Sequence, residues 1–182
     1  MKTLAVVGTA GGVGGTTVAA LAFTGMRQHP LGGPMLYARP SARLIDRVGS
    51  DEVPALNGDL AIWDAGQHSP ESAAALLEAG GCALAVAAPA TPLGVADAAR
   101  VLSTVAELGE DALGSVAVVL SQVNGRARAV PATSIPSPLL VRIPHDRGLA
   151  SPGPIPPVGQ LGSRARAGAV AWQRRATALL SP

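Results

Sequence analysis

One lysine, one cysteine and four aromatic side chains are all that 182 residues contain of those types. Each shortage excludes a class of function. A lone Cys82 cannot close an internal disulfide and supplies no cluster of metal ligands, which excludes a structural zinc site. Phe23, Tyr37, Trp63 and Trp172 are too few to form the stacking platform that single-stranded nucleic-acid binders use. Long apolar runs are missing too. The strongest, Cys82 to Ala88, is cut off by Pro89 and Pro92, well short of the roughly 20 residues that span a bilayer. The N-terminal apolar run is only four residues, Leu4 to Val7, before glycine interrupts it; this does not read as a secretory signal, and a cytoplasmic protein is expected. The cation count is one-sided: Lys2 is the single lysine, and the other 13 of the 14 cations are arginines in a chain of net charge +2. Any mechanism that needs a lysine beside a phosphate therefore has one candidate.

What is abundant is apolar surface and punctuation. Hydrophobic residues make up 48% and charged residues 14%, enough buried surface to offset chain entropy, so a disordered chain is excluded. The length suits one domain over residues 1–182. Leu4 to Val7 reads as a strand ending in glycine, followed by a helix from Thr16 to Met26 with Val18, Leu21, Ala22 and Phe23 at helical spacing. Further strands are predicted at Met35 to Ala38 after the turn signal Gly32, Gly33, Pro34, and at Leu60 to Trp63, Cys82 to Ala88, Val116 to Leu120 and Leu139 to Ile143. Helices are predicted from Pro70 to Gly80, with Ser69 as the cap, and from Pro92 to Leu108. A final amphipathic helix covers 163–180, with Trp172, Leu179, Leu180, Ala165, Ala169 and Ala176 on one arc and arginines on both flanks. Ser151 to Pro157 is a proline-rich loop. Nearly continuous apolar strands separated by helices predict an α/β fold: a doubly wound, mostly parallel sheet with helices on both faces, in three layers.

Between the first strand and the first helix lies Gly8-Thr9-Ala10-Gly11-Gly12-Val13-Gly14-Gly15-Thr16-Thr17. Backbone N–H groups in such a loop, together with the helix N-terminus, form an anion site. Residues 10–17, AGGVGGTT, resemble the deviant Walker A motif K-G-G-x-G-K-T-T of MinD/ParA-type P-loop ATPases, matching six of eight positions. Both mismatches are lysines. Ala10 stands where the family's signature lysine would reach a partner's nucleotide, and Gly15 where the loop lysine would hold terminal phosphates. Asp59 to Gly66 resembles the Walker B strand, with Asp64 at the magnesium-supporting aspartate. Val86 to Leu93 and Leu140 to Asp146 resemble later family segments. Elsewhere the pattern is lost: Tyr37-Ala38-Arg39-Pro40-Ser41 lacks the first-switch acid, and Ser121-Gln122 stand where an asparagine usually meets the base, with Asn124 arriving late.

The resemblance implies a P-loop fold and, if a nucleotide binds, ATP or ADP with Mg²⁺ on Gly11, Gly12, Gly14, Gly15, Thr16, Thr17 and Asp64, with Thr16 and Asp64 nearest the metal. Loss of both lysines and of the acid points to a pseudo-ATPase with no catalytic residue and no obligatory cofactor, since phosphoryl transfer depends on positioned positive charge. Such a protein would act through a protein partner, either an active relative or a second copy of itself, with residues 39–50 and 64–70 as contacts. The alternative is a nucleotide switch that dimerises and hydrolyses slowly. Plainer readings stand beside these. The glycines make a tight turn, Asp64 caps the next turn, His68 and His145 are solvated loop residues, and Cys82 packs. The last helix, with Arg164, Arg166, Arg174 and Arg175, either docks on the sheet or meets a membrane surface or DNA phosphate.

Overall fold

In a computed structural model, residues 1–27, 34–38, 44–49, 59–122 and 130–181 are described. Six strands form one sheet: β1 (Lys2–Gly8), β2 (Met35–Ala38), β3 (Leu60–Gln67), β4 (Cys82–Pro89), β5 (Val116–Ser121) and β6 (Leu140–Ile143). Their order is β2-β3-β1-β4-β5-β6, and every pairing is parallel. Parallel neighbours need crossovers, which the helices supply. These are α1 (Gly15–Met26), α2 (Leu44–Val48), α3 (Pro70–Glu78), α4 (Pro92–Ala106), α5 (Arg147–Ala150) and α6 (Ser163–Leu180).

The strand period of two sorts the core into two halves. Leu4, Val6, Ile62, Ala85 and Val119 face α1, α2 and α6, whereas Ala5, Val7, Leu84, Val86 and Val118 face α3 and α4. This is the predicted three-layer, doubly wound α/β arrangement. Alanines in β4 leave room for helices to come close, and α6 approaches closely enough that a Cβ at Gly168 would collide with the Arg142 carbonyl. The predicted apolar arc of α6 docks on the sheet. Trp172 is fully buried and its Nε1–H donates to Val18 O at 2.8 Å. Arg175 turns back to Val116 O and Arg166 to Leu161 O, while Arg164 and Arg174 are exposed.

Ser69 caps α3 by accepting from the Ser72 N–H, and Thr91 caps α4 by accepting from the Gly94 N–H. Residues 151–157 form no helix or strand, as the prolines require. Two short helices, α2 and α5, were not predicted, and β3 runs four residues beyond Trp63. No helix among the described residues is long and apolar enough to cross a membrane.

Because the chain winds outward from β1 in both directions, the crevice at the carboxyl ends of the central strands is where a ligand site belongs in this topology. Lys2 opens β1 at the opposite end, opposite Leu60, away from the loop that follows Gly8.

Candidate functional site

The glycine loop leaves β1 and enters α1 through two left-handed residues, Gly12 at φ +73° and Gly14 at φ +88°. Side-chain-bearing residues avoid that region, so these two glycines are required by the turn itself. Gly11 and Gly15 are different. Neither has a positive φ, and a Cβ on Gly15 would meet nothing within 4 Å. Gly14 serves as the N-cap of α1 without any side-chain hydrogen bond, and the first N–H bonded into the helix is that of Val18, to Gly14 O. Residues 11 and 12 form a turn, and the N–H groups of 14–17 have no acceptor among the described residues, which leaves donors at the positive end of a helix.

Asp64 reaches this turn from β3. Alternation puts Leu60, Ile62 and Asp64 on the α1 side, and a bulge follows at once, because Val6 pairs with Asp64 but Val7 pairs with Gly66. The Asp64 side chain is 2% exposed and accepts the Thr16 hydroxyl on Oδ2 at 2.6 Å. Its Oδ1 accepts the Gly66 N–H at 3.2 Å. The turn-capping reading of Asp64 therefore holds, and the structure adds its hydrogen bond to Thr16.

Arg47 reaches the same turn from the other side, and nothing in the sequence singled it out. Its guanidinium, 8% exposed, donates from Nη1 to Ser151 O and Gly153 O and from Nη2 to Leu149 O at 2.7 Å and Thr17 Oγ1 at 3.2 Å. The Ile155 N–H also binds the Arg47 carbonyl. Burial lowers the Arg47 pKa from its ordinary value, yet arginine stays charged at physiological pH. Arg47 and Asp64 are the two buried charged side chains among the described residues, and they end on adjacent threonines of one helical turn. Buried charges not paired with each other are costly, so this placement marks the turn as more than a loop closure.

A cavity of about 270 Å³ opens beside the loop. Gly12, Gly14 and Thr17 form its loop wall, Ser121 and Gln122 its floor at the end of β5, and Ile143 to Asp146 with Leu149 its far wall. Ser121 Oγ donates to Val13 O, tying β5 to the loop. Asp146 holds the far wall by accepting the Gly148 N–H at 2.8 Å and the Gly162 N–H at 2.9 Å, and these bonds, the Gly162 one foremost, keep its carboxyl below the ordinary range. His145 is half-buried on this wall rather than solvated.

A second, polar cavity of about 450 Å³ lies across the sheet end, between Thr9, Gln67 to Pro70, Asp97, Arg100 and Val101. His68 is half-buried there, with Nε2 3.2 Å from Ala65 O. Cys82 is partly covered and burial pushes its thiol pKa up, which fits packing rather than reactivity. No group of three or more metal-ligating side chains occurs among the described residues. Gly32, Gly33, Arg39 to Arg43, Ser50 and Asn124 lie outside the described residues, as does much of the predicted 39–50 contact segment.

The donor set suits a phosphate, since N–H groups of the first helical turn and the Thr17 hydroxyl stand beside open glycine surface, while the Thr16 hydroxyl is committed to Asp64. It does not suit a long polyphosphate equally well. At the Gly15 end no cationic side chain of a described residue is hydrogen-bonded to the loop, and the buried charge there is the Asp64 carboxylate. No family profile, curated protein or solved structure matches this chain. What the fold and the site define is a six-stranded, all-parallel α/β domain with a glycine loop and two buried charges at its switch point.

Proposed function

We propose that this chain is a non-catalytic, MinD/ParA-like P-loop domain, a pseudo-ATPase that acts by binding rather than by turnover. The observation that carries the reading is that, among the described residues, nothing lies within 4 Å of where a Gly15 Cβ would stand. A P-loop enzyme places a lysine there to gather charge in the transition state, and loss of one such contact costs roughly 3 kcal/mol. Arg47, the nearest buried cation, has all four of its terminal N–H groups committed to three carbonyls and the Thr17 hydroxyl, so its fork is held in place rather than free to follow a moving phosphoryl group. The domain would then work through a protein partner, an active relative or a second copy. Exposed Ile45 and Tyr37 beside α2 and β2 support a contact surface within the old first-switch segment.

A second reading, a switch that binds ATP or ADP with Mg²⁺, is favoured by one observation. The Thr16–Asp64 hydrogen bond keeps together the two groups that would support the metal. Measuring phosphate release from Mg-ATP decides between them. The first reading expects none above background, and sustained turnover would refute it. Gly15→Lys with Ala10→Lys is expected to raise Mg-ATP affinity tenfold or more, because at Gly15 there is space for the side chain. No gain would mean that the loop no longer presents its N–H groups to a ligand.

A further inference from the structure

The charges of this chain are sorted by side of the sheet. Residues 70–115, which hold α3 and α4, contain six acids and one base, Arg100; residues 139–182, which hold α5 and α6, contain six arginines and one acid, Asp146. The first segment is therefore five charges negative and the second five positive. Because α3 and α4 cover one side of the sheet and α6 the other, the two excesses face in opposite directions. Glu71, Glu78, Glu107 and Asp111 are exposed on the first side, and Arg147, Arg164, Arg166 and Arg174 on the second. None of them is in an ion pair among the described residues, where the two segments form only the pair Arg100 with Asp97.

The two faces also complement each other in shape. On α6 the outward residues Arg164, Ala167, Ala171, Arg174 and Ala178 are three and four apart, which makes one stripe with the arginines about 15 Å from each other. Alanine between them lets another helix come close. On the acidic side Leu93 and Leu108 stand out near the two ends of α4, 68% and 41% exposed. The directions agree too. As crossovers between parallel strands, α3 and α4 run against the strands. So does α6, which passes the end of β6 at Gly168 and reaches the first residue of β5 at Arg175. We infer that this chain self-associates head to tail, the arginine stripe of α6 on one copy docking on the acidic α3–α4 face of the next. Such a contact leaves an unused face at each end, so it grows an open filament instead of closing as a symmetric dimer. Nucleic acid or an anionic membrane would satisfy the arginines alone, whereas a second copy uses both faces and covers the leucines. The inference takes up the reading that the domain acts through a protein partner and names that partner, with the glycine loop outside the contact.

The test is sedimentation equilibrium of the whole chain without nucleotide, at about 0.1 M and about 1 M salt, between which the screening length falls from about 10 Å to about 3 Å. At the lower salt the mean mass is expected to rise with protein concentration past that of a dimer, and at the higher salt association should weaken about tenfold or more. Glu78→Gln with Glu107→Gln blunts the acidic face, and Arg164→Gln with Arg174→Gln the basic one, all four at exposed side chains. Each double variant alone should associate about tenfold more weakly. An equimolar mixture of the two should form a one-to-one dimer that grows no further, because each supplies one intact face; a symmetric contact would show no such recovery. If a variant does not fold, the salt response of the unaltered chain decides. A mass that stays at the monomer, stops at the dimer or ignores salt overturns the inference, as does a mixture no more associated than its components. A monomer that sediments with DNA or anionic vesicles gives the arginine face that occupant and overturns it as well. Phosphate release from Mg-ATP reports separately on the non-catalytic reading, which fails only if turnover is seen.

Discussion

Gly14 and Gly15 are neighbours with opposite requirements, and the difference is testable. At Gly14 the backbone is left-handed and a Cβ would come within 3.2 Å of Ser121 Oγ, so Gly14→Ala is expected to cost about 1 kcal/mol or more. At Gly15 neither constraint applies, and Gly15→Ala should leave stability unchanged or raise it by up to about 1 kcal/mol. Urea unfolding of the pair checks both. Arg47→Met leaves three carbonyls without their donor and should destabilise by about 3 kcal/mol, read from the same curves. Asp146 gives a pH signature. Its folded-state carboxyl is held below the ordinary range by the Gly162 and Gly148 N–H groups, so its contribution is complete above the unfolded-chain value of about 4 and is lost as pH falls through the lower folded value. The stability of Asp146→Asn, followed by urea midpoint from neutral pH downward, should lack that acid-side slope. Thr16 and Asp64 were legible in the sequence because a motif names both. Arg47 was not, because three of its four partners are main-chain carbonyls 102 to 106 residues away, which no side-chain pattern marks.

Elements with strong local signals came out as expected, and those without did not. A serine cap, a proline at the first helical position and an early glutamate announce α3, and the structure shows the cap bond to Ser72. Neither α2 nor α5 is long enough to be stable alone, since a helix must outgrow its costly first turn. Arg47 and its carbonyl partners hold both in place through tertiary bonds. The apolar run marks β3 only to Trp63 and the Walker B resemblance only to Gly66, and the strand reaches Gln67 because the Val6, Val7 and Gly8 pairings of β1 keep Asp64 to Gln67 in the sheet past a bulge. For α6 the question was which surface its apolar arc meets, and the answer is α1 and the sheet. Trp172→Phe should cost about 1 to 2 kcal/mol by losing the bond to Val18 O and leaving space. Trp172→Ala should cost about 3 to 5 kcal/mol, with no change in denaturant slope if the fold stays intact.

Across the whole molecule, stability is expected to follow the strand order rather than the chain order. β1 and β4 are paired on both sides and buried on both faces, while β2 lies at the edge with Tyr37 and Ala38 exposed. Hydrogen exchange should therefore show β1 and β4 amides opening only with global unfolding and β2 amides exchanging orders of magnitude faster, and equal protection in both would contradict this account. The sequence by itself determined the class of fold and the strand–loop–helix unit that carries the glycines. Those rest on local periodicity, on turn chemistry and on a compact motif, all written within short stretches of chain. Only the tertiary structure decided which edges of the sheet are free, where α6 docks, and that a buried arginine stands beside Thr17. These depend on contacts between residues far apart in sequence, made mostly through backbone atoms that every residue shares, and packing rather than pattern selects them.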